Sequence, residues 1–263
     1  MLVTNDDGIS APGLRALVAA LASRGFRVYV SAPRRPSSSY GKALLYPATY
    51  GEARVDGALR AWWVDSTPAA AVLAALGLLL PERPQLVVSG INRGPNMGVE
   101  DLFTSGTIGA AVEAVLHGLP AIAVSLATDA GHSVDDYRVA AELAADLAGL
   151  VASNPPPPGA AGLLVVNVPE GVPRGVKATR LAWNDYRIPL RAEGASIAPR
   201  RHGFRERYWD TRPGSDVEAV LSGYASVTPV CLAGLSEPPR EALEWASELA
   251  RGLEGHLQSL ARH

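Results

Sequence analysis

Apolar residues follow two alternating rhythms along this chain. Short runs such as LVT (2–4), FRVYVSAP (26–33), RAWWVD (60–65), QLVVSGIN (85–92), AIAVSLA (121–127) and GLLVVNVP (162–169) read as β-strands. Between several of them lie stretches with the 3.6-residue spacing of helices. In APGLRALVAALASRG, Leu14, Leu17, Val18 and Leu21 share one face, with Pro12 near the start and Gly25 past the end. Thr67 and Pro68 are placed as N-cap and first residue of the next helix, within the apolar stretch TPAAAVLAALGLLL. A further helix starts near Gly106, with Ile108, Ala111, Val112, Val115 and Leu116 as its buried stripe, and another spans 134–153. Alternation of this kind predicts an α/β fold with a mostly parallel sheet. The near-continuous apolar strands fit a sheet covered on both faces.

Asn154 and the four prolines Pro155 to Pro158 form a stiff connection rather than a boundary, because the strand pattern resumes at once. After about residue 170 the pattern changes. Gly, Pro and Arg punctuate short pieces that read as irregular or antiparallel β structure, and an amphipathic helix over roughly 239–260 closes the chain. Such a helix docks on a partner subunit or packs on its own domain. The expected organisation is one domain with a catalytic core at 1–170 and an extension at 171–263.

Composition narrows the function classes. A chain of 263 residues, 48% hydrophobic and 19% charged, is that of an ordinary globular protein. Its net charge of −2 supplies no electrostatic footprint for a DNA or RNA duplex. The lone Cys231 excludes an internal disulfide framework and fits a reducing cytoplasm. No basic leader precedes LVT and no 18-residue apolar run occurs, so neither a signal peptide nor a membrane span is expected.

The chemistry is concentrated after the strands, where doubly wound sheets bind ligands. The first strand runs into Asn5-Asp6-Asp7-Gly8, the second into APRRPSSSYG (32–41), and QLVVSGIN into RGPN, ending at Asn96. Asp, Ser and Asn are hard oxygen donors, suited to Mg²⁺, Mn²⁺ or Ca²⁺ and unlike a zinc site. Alone, Asp-Asp-Gly serves equally as a turn, and Asn92 as a turn residue before Gly94-Pro95. Their coincidence on one rim favours a metal. The start of the helix at Ser105-Gly106-Thr107 offers free amides and a positive dipole end to a phosphate, or simply a Ser cap. A side chain at Gly106 is expected to intrude on that anion and to spare the metal ligands, which lie on other loops. No Walker loop, dinucleotide fingerprint or G-x-S-x-G elbow is present. None of the five histidines lies in these loops; His117 is placed near a helix end as a cap, and His132 and His202 in loops.

With those residues in view, the chain resembles the SurE (survival protein E) family of metal-dependent 5′-nucleotidases. LVTNDDGISAPG, APRRPSSSYG, VVSGINRGPNMG, TSGTIGAAVEA, GLPAIAVS, VVNVP and GYASVTP carry the resemblance, in order, over most of the chain. It implies Asp6, Asp7, Ser38 and Asn92 as ligands of one divalent ion per subunit, Mg²⁺ or Mn²⁺. It implies Asn96, Ser105, Gly106 and Thr107 as the phosphate pocket, with Asp6, Asp7 and Asn96 catalytic. A Rossmann-like three-layer core with a mostly parallel sheet, a nucleoside monophosphate substrate, a homodimer or homotetramer, and a C-terminal part exchanged between subunits follow from the same resemblance. The stretch Ser66-Thr67-Pro68-Ala69-Ala70 departs from the family's usual pattern, which leaves base preference open. A non-catalytic nucleotide- or metal-binding protein of the same fold is the alternative, and a nucleotide-sugar glycosyltransferase a weaker one.

Overall fold

The computed structural model describes residues 1–129, 133–156, 162–183, 190–199, 203–232, 234 and 240. Its first half alternates as the apolar pattern requires. β1 (Leu2–Thr4) leads to α1 (Pro12–Ser23) and β2 (Tyr29–Pro33). Then come β3 (Tyr50–Ala53), β4 (Arg60–Val64), α2 (Pro68–Ala74) and β5 (Val87–Arg93). They are followed by α3 (Gly98–Thr104), α4 (Gly106–Leu116), β6 (Ala121–Ala127), α5 (Arg138–Ser153) and β7 (Leu163–Pro169).

Successive strand residues point to opposite faces, and each face has its own helices. Val3, Val30 and Val88 pack with Leu14, Leu17 and Leu21 of α1 and Ala140 and Ala144 of α5. Leu2, Tyr29 and Val87 pack with Val72 of α2 and Ile108 and Ala111 of α4. Leu14, Leu17, Val18 and Leu21 are all fully buried, as their spacing predicts. Each contributes about 1.5–3 kcal/mol by leaving water.

The strand order is β3-β4-β2-β1-β5-β6-β7, continued by β11 (Ala225–Val230) and β8 (Val176–Ala178). β4, β2, β1, β5, β6 and β7 run parallel. The chain steps outward from β1 in one direction through β2 and in the other through β5. The order therefore reverses between β1 and β5, which is where an open α/β sheet leaves a crevice.

Several elements differ from the sequence reading. β3, an edge strand antiparallel to β4, and α3 had no strong periodic signal. The TPAAAVLAALGLLL stretch is buried through Val72, but α2 passes into a π-helical turn at Ala75–Leu79 and Leu78 is exposed. Leu116, expected in the buried stripe of α4, is exposed as well. Periodicity gives a helix's inward side but not how far the sheet beneath it reaches.

The sheet also does not stop at residue 170. β11 inserts antiparallel to β7, with Ser226 opposite Asn167, and β8 adds parallel to β11. Later segments comprise the hairpin β9 (Leu190–Glu193) and β10 (Ser196–Pro199), α6 (Phe204–Arg207) and α7 (Asp216–Leu221). The expected terminal helix at 239–260, residue 240 apart, and His132 and His202 lie outside the described residues.

Candidate metal and phosphate site

The turn after β1 is tied by its asparagine. Asn5 is fully buried; its Nδ2 donates to Gly8 O at 3.0 Å and its Oδ1 accepts from Gly8 N at 3.2 Å. Gly8 is required there, with φ +98° and the backbone of Arg35 3.2 Å from a would-be Cβ. The turn carries Asp6 on the α4 side of the sheet and Asp7 beside the loop that follows β5. Asp7 Oδ2 accepts from Arg93 N at 3.0 Å.

The serine loop docks on this turn through its backbone. Ser37 N donates to Asp6 O at 2.7 Å, and the Ser37 hydroxyl turns back toward Arg35 O and Ser66 O at 3.2 and 3.5 Å. Ser38 is exposed and its hydroxyl has no hydrogen-bond partner among the described residues. Downstream, Gly41 N donates to Thr104 O at 3.0 Å, and Lys42 Nζ pairs with the buried Glu113 of α4 at 2.5 Å. Arg34 lies over the Trp63 ring at 4.6 Å, a surface stack rather than a second charge in the site.

The third loop leaves β5 through a bulge. Ser89 pairs with Ala123, but Asn92 pairs with Ser125, so β5 has one residue more than β6. Gly90 stands at that bulge; a Cβ on it would meet Val124 O at 2.5 Å. Beyond it, Asn92 Nδ2 donates to Gly94 O at 2.7 Å. Asn96 is buried and held at its backbone by Asn167 and at its side chain by Ser125.

Asp6, Ser38, Asn92, Asn96 and Ser105 thus line one cleft of ≈160 Å³, together with Asp101 and Thr104. Asp7 lines an adjoining cleft of ≈240 Å³ that shares Ser38 and Arg93 with the first. Ser38 alone of the three serines borders both. A larger groove of ≈390 Å³ between α1 and α5 is walled by small apolar and exposed charged side chains and has no comparable donor set.

The start of α4 departs from the expectation placed on it. Ser105 Oγ accepts from Ile108 N at 3.2 Å and so caps its own helix, while Ser105 N donates to Asp101 O at 3.0 Å. Thr107 is fully buried; its hydroxyl donates to Asp6 Oδ1 at 2.5 Å and its amide also serves Asp6. The anion at this helix end is therefore a carboxylate of the protein itself. Of the triplet, the Gly106 amide remains without a partner among the described residues. A Cβ at Gly106 would lie 2.9 Å from Asp6 Cβ and 3.1 Å from Ser37 O. A side chain there would displace Asp6, so the expectation that it would spare the metal ligands is corrected.

Electrostatics sets this rim apart. Burial, and then repulsion from Asp7, push the Asp6 carboxyl up to about 7, against the hydrogen bonds from Thr107. Burial raises Asp7 too, opposed by its bond from Arg93 N. Two carboxylates held partly out of water and close together are stabilised by a cation. Among the described residues no three His, Cys, Asp or Glu side chains converge anywhere. A cation here would rest on two carboxylates completed by neutral oxygens, and Ser38 and Asn92 are neutral oxygen donors on the same cleft as Asp6. The donor set fits a hard divalent ion.

Asp101 and Tyr208 lie in none of the quoted motifs, and Ser125 and Asn167, within GLPAIAVS and VVNVP, were given no role there. Asn167 and Ser125 were nevertheless visible as lone polar residues inside the apolar strands LLVVNVP and AIAVSLA, where an unsatisfied polar group is costly.

Fold and site together define an open α/β protein with a carboxylate-bearing, oxygen-lined cleft at its topological switch point. The profile of the family described as survival protein SurE matches residues 1–188. Relatives include the 5′-nucleotidase SurE of Desulforudis audaxviator, 40% identical over 88% of this chain and 90% of that protein. The 5′-nucleotidase SurE of Anaeromyxobacter dehalogenans is 41% identical over 90% of this chain and 92% of that protein. The crystal structure of the SurE protein from Aquifex aeolicus superposes with a TM-score of 0.71 at 34% identity, covering 88% of this chain and 92% of that one. This chain belongs to the SurE family.

Proposed function

We propose that the protein is a 5′-nucleotidase that hydrolyses nucleoside 5′-monophosphates to nucleoside and phosphate with the help of one divalent ion, Mg²⁺ or Mn²⁺. The observation that carries the reading is the pairing of Asp6 and Asp7 with Ser38 and Asn92 around adjoining clefts, in a chain about 40% identical to proteins named 5′-nucleotidase. These four residues would hold the ion, which when bound supplies Lewis-acid polarisation of the phosphoryl group and a more acidic water. Asn96 and Ser105 line the same cleft, and together with the amide of the adjacent Gly106 would take the remaining phosphate oxygens. Thr107 acts at one remove, holding Asp6. Asp7, less buried than Asp6, is the better placed of the two to accept a proton.

The hairpin β9–β10 supports a homo-oligomer. It forms a separate two-stranded sheet with Leu190 and Ile197 exposed, and a lone hairpin is marginally stable without a surface to lie on. We place the enzyme in the cytoplasm, whose reducing conditions its lone Cys231 fits.

The test is phosphate release from a panel of nucleoside monophosphates with Mg²⁺, Mn²⁺ or a chelator, in wild type and Asp7→Asn. Metal-stimulated release that Asp7→Asn abolishes, with weakened metal binding by calorimetry, is the expected result. A wild type that binds nucleotide and metal without releasing phosphate would instead support the non-catalytic alternative.

A further inference from the structure

Asn96 is held by side chains from strands, not from its own loop. Its N–H donates to Asn167 Oδ1 at 2.8 Å, and its carbonyl accepts from Asn167 Nδ2 at 2.8 Å. One carboxamide thus clasps the two backbone groups that flank a single Cα, and fixes the direction in which Cβ leaves the chain. The backbone partners settle the orientation of the Asn167 amide, since only its oxygen can accept and only its nitrogen donate. The Asn96 side-chain Nδ2 in turn donates to Ser125 Oγ at 2.8 Å.

Both partners sit on one rung of the sheet. Ser125 and Asn167 are register partners on β6 and β7, and Asn92 pairs with Ser125 across the bulge of β5. Asn167 is fully buried and Ser125 nearly so, among Val165, Val166 and Val168 and the apolar residues of β6. A branched apolar residue would suit such strand positions better, because a buried amide gains little beyond balancing its own desolvation. What the amide adds here is a fixed address for Asn96.

We propose that Asn167, with Ser125, is a positioning residue for the phosphate contact made by Asn96, preorganising that contact before substrate arrives. The proposal rests on the phosphatase reading given above. It assigns to the strands a share of catalysis that the loops alone would otherwise carry, since small misplacements of a contacting group cost large factors in rate.

The test uses the full-length protein with Mn²⁺ and a nucleoside monophosphate, comparing Asn167→Leu, Ser125→Ala, Asn96→Ala and the two doubles with Asn96→Ala. Positioning predicts that Asn167→Leu lowers kcat about tenfold or more, and Ser125→Ala less, with KM within about twofold. Metal affinity by calorimetry stays at the wild-type value. On the Asn96→Ala background either change adds less than about twofold, because the contact it serves is already gone. A merely structural role predicts multiplicative losses on that background, and that result overturns the proposal, as does wild-type kcat in both single variants. Should Asn167→Leu fail to fold, the Ser125→Ala cycle decides by itself. Inactivity of the wild type toward every monophosphate would defeat the phosphatase reading, and the proposal with it. An active wild type with uncoupled variants would defeat the proposal alone.

Discussion

Thr107 shows how much one hydroxyl decides. Its side chain and amide are both turned to Asp6, which sits 4% exposed beside a second carboxylate. Without those bonds Asp6 would lie still further from ionisation, since burial and Asp7 both push its proton affinity up. Thr107→Val keeps the shape and removes the hydroxyl. A hydrogen bond to a charged group is worth about 1.5–3 kcal/mol, so metal affinity should fall by roughly ten- to a hundredfold. Competitive inhibition by inorganic phosphate, measured with saturating metal, should change little. Calorimetry and inhibition kinetics separate this outcome from a Thr107 that contacts phosphate, for which the two effects would be reversed. The sequence placed Thr107 in the right neighbourhood. It could not reveal the partner, because Asp6 and Thr107 lie 101 residues apart and meet only through the packing of α4 on β5, the strand beside β1.

Among the elements, the serine loop joins two kinds of information. Its backbone is committed to the turn after β1 and to the end of α3, by Ser37 N to Asp6 O and Gly41 N to Thr104 O. The close approach is enforced by glycines: a Cβ on Gly41 would meet Phe103 O at 2.3 Å, and one on Gly109 would meet Gly41 O at 2.3 Å. Ser37 spends its hydroxyl on the loop itself, whereas Ser38 keeps its own free at the border of both clefts. Ser38→Ala should therefore reduce metal-dependent turnover about tenfold or more with an unchanged melting temperature. Ser37→Ala should cost about 1 kcal/mol of stability or less and leave turnover within about twofold. Equal kinetic losses at both positions would show that the loop needs only polarity. Strands and long helices were legible because their apolar periodicity is regular and their caps are specific, as Thr67 is for α2. α3 was not, because a seven-residue helix presents too few turns for a period, and its start is fixed by Asp101 reaching back to Met97 N at 2.7 Å.

For the whole molecule, the segment after residue 170 is part of the site's support. Asp216 is fully buried and accepts from Gly98 N at 2.8 Å and from Ala182 N and Val217 N at 2.9 Å. The Tyr208 hydroxyl meets Asp101 Oδ2 at 2.6 Å and lies 3.2 Å from Pro95 O. The loop that follows β5 and carries Asn96 is thus held from one side by strands and from the other by the C-terminal region. Asp216→Asn turns a donor toward an N–H that needs an acceptor. It should cost about 2 kcal/mol and lower Tm by roughly 4–8 °C, with a smaller loss of kcat, as a thermal melt and a rate measurement would show. None of this was readable beforehand. A weak, punctuated pattern announced irregular structure after 170, but Gly98, which Asp216 holds, and Pro95 and Asp101, which Tyr208 meets, lie more than 100 residues upstream.

The insertion of β11 between β7 and β8 has a consequence for how the chain is made. A nascent chain that has emerged as far as residue 170 already contains Asp6, Ser38, Asn92, Asn96 and Asn167, yet the outer edge of β7 has no neighbour. That edge presents the unpaired backbone of an apolar strand, LLVVNVP, until some 60 residues later synthesis delivers β11. Open, apolar edges of this kind recruit other chains. A protein ended at residue 170 should accordingly form aggregates or oligomers on size exclusion, whereas one ended after β11 should not show that defect; monomeric behaviour of the shorter chain would refute this. The candidate site residues are all encoded early, and the strand that keeps their sheet from sticking to its neighbours follows only some 60 residues later.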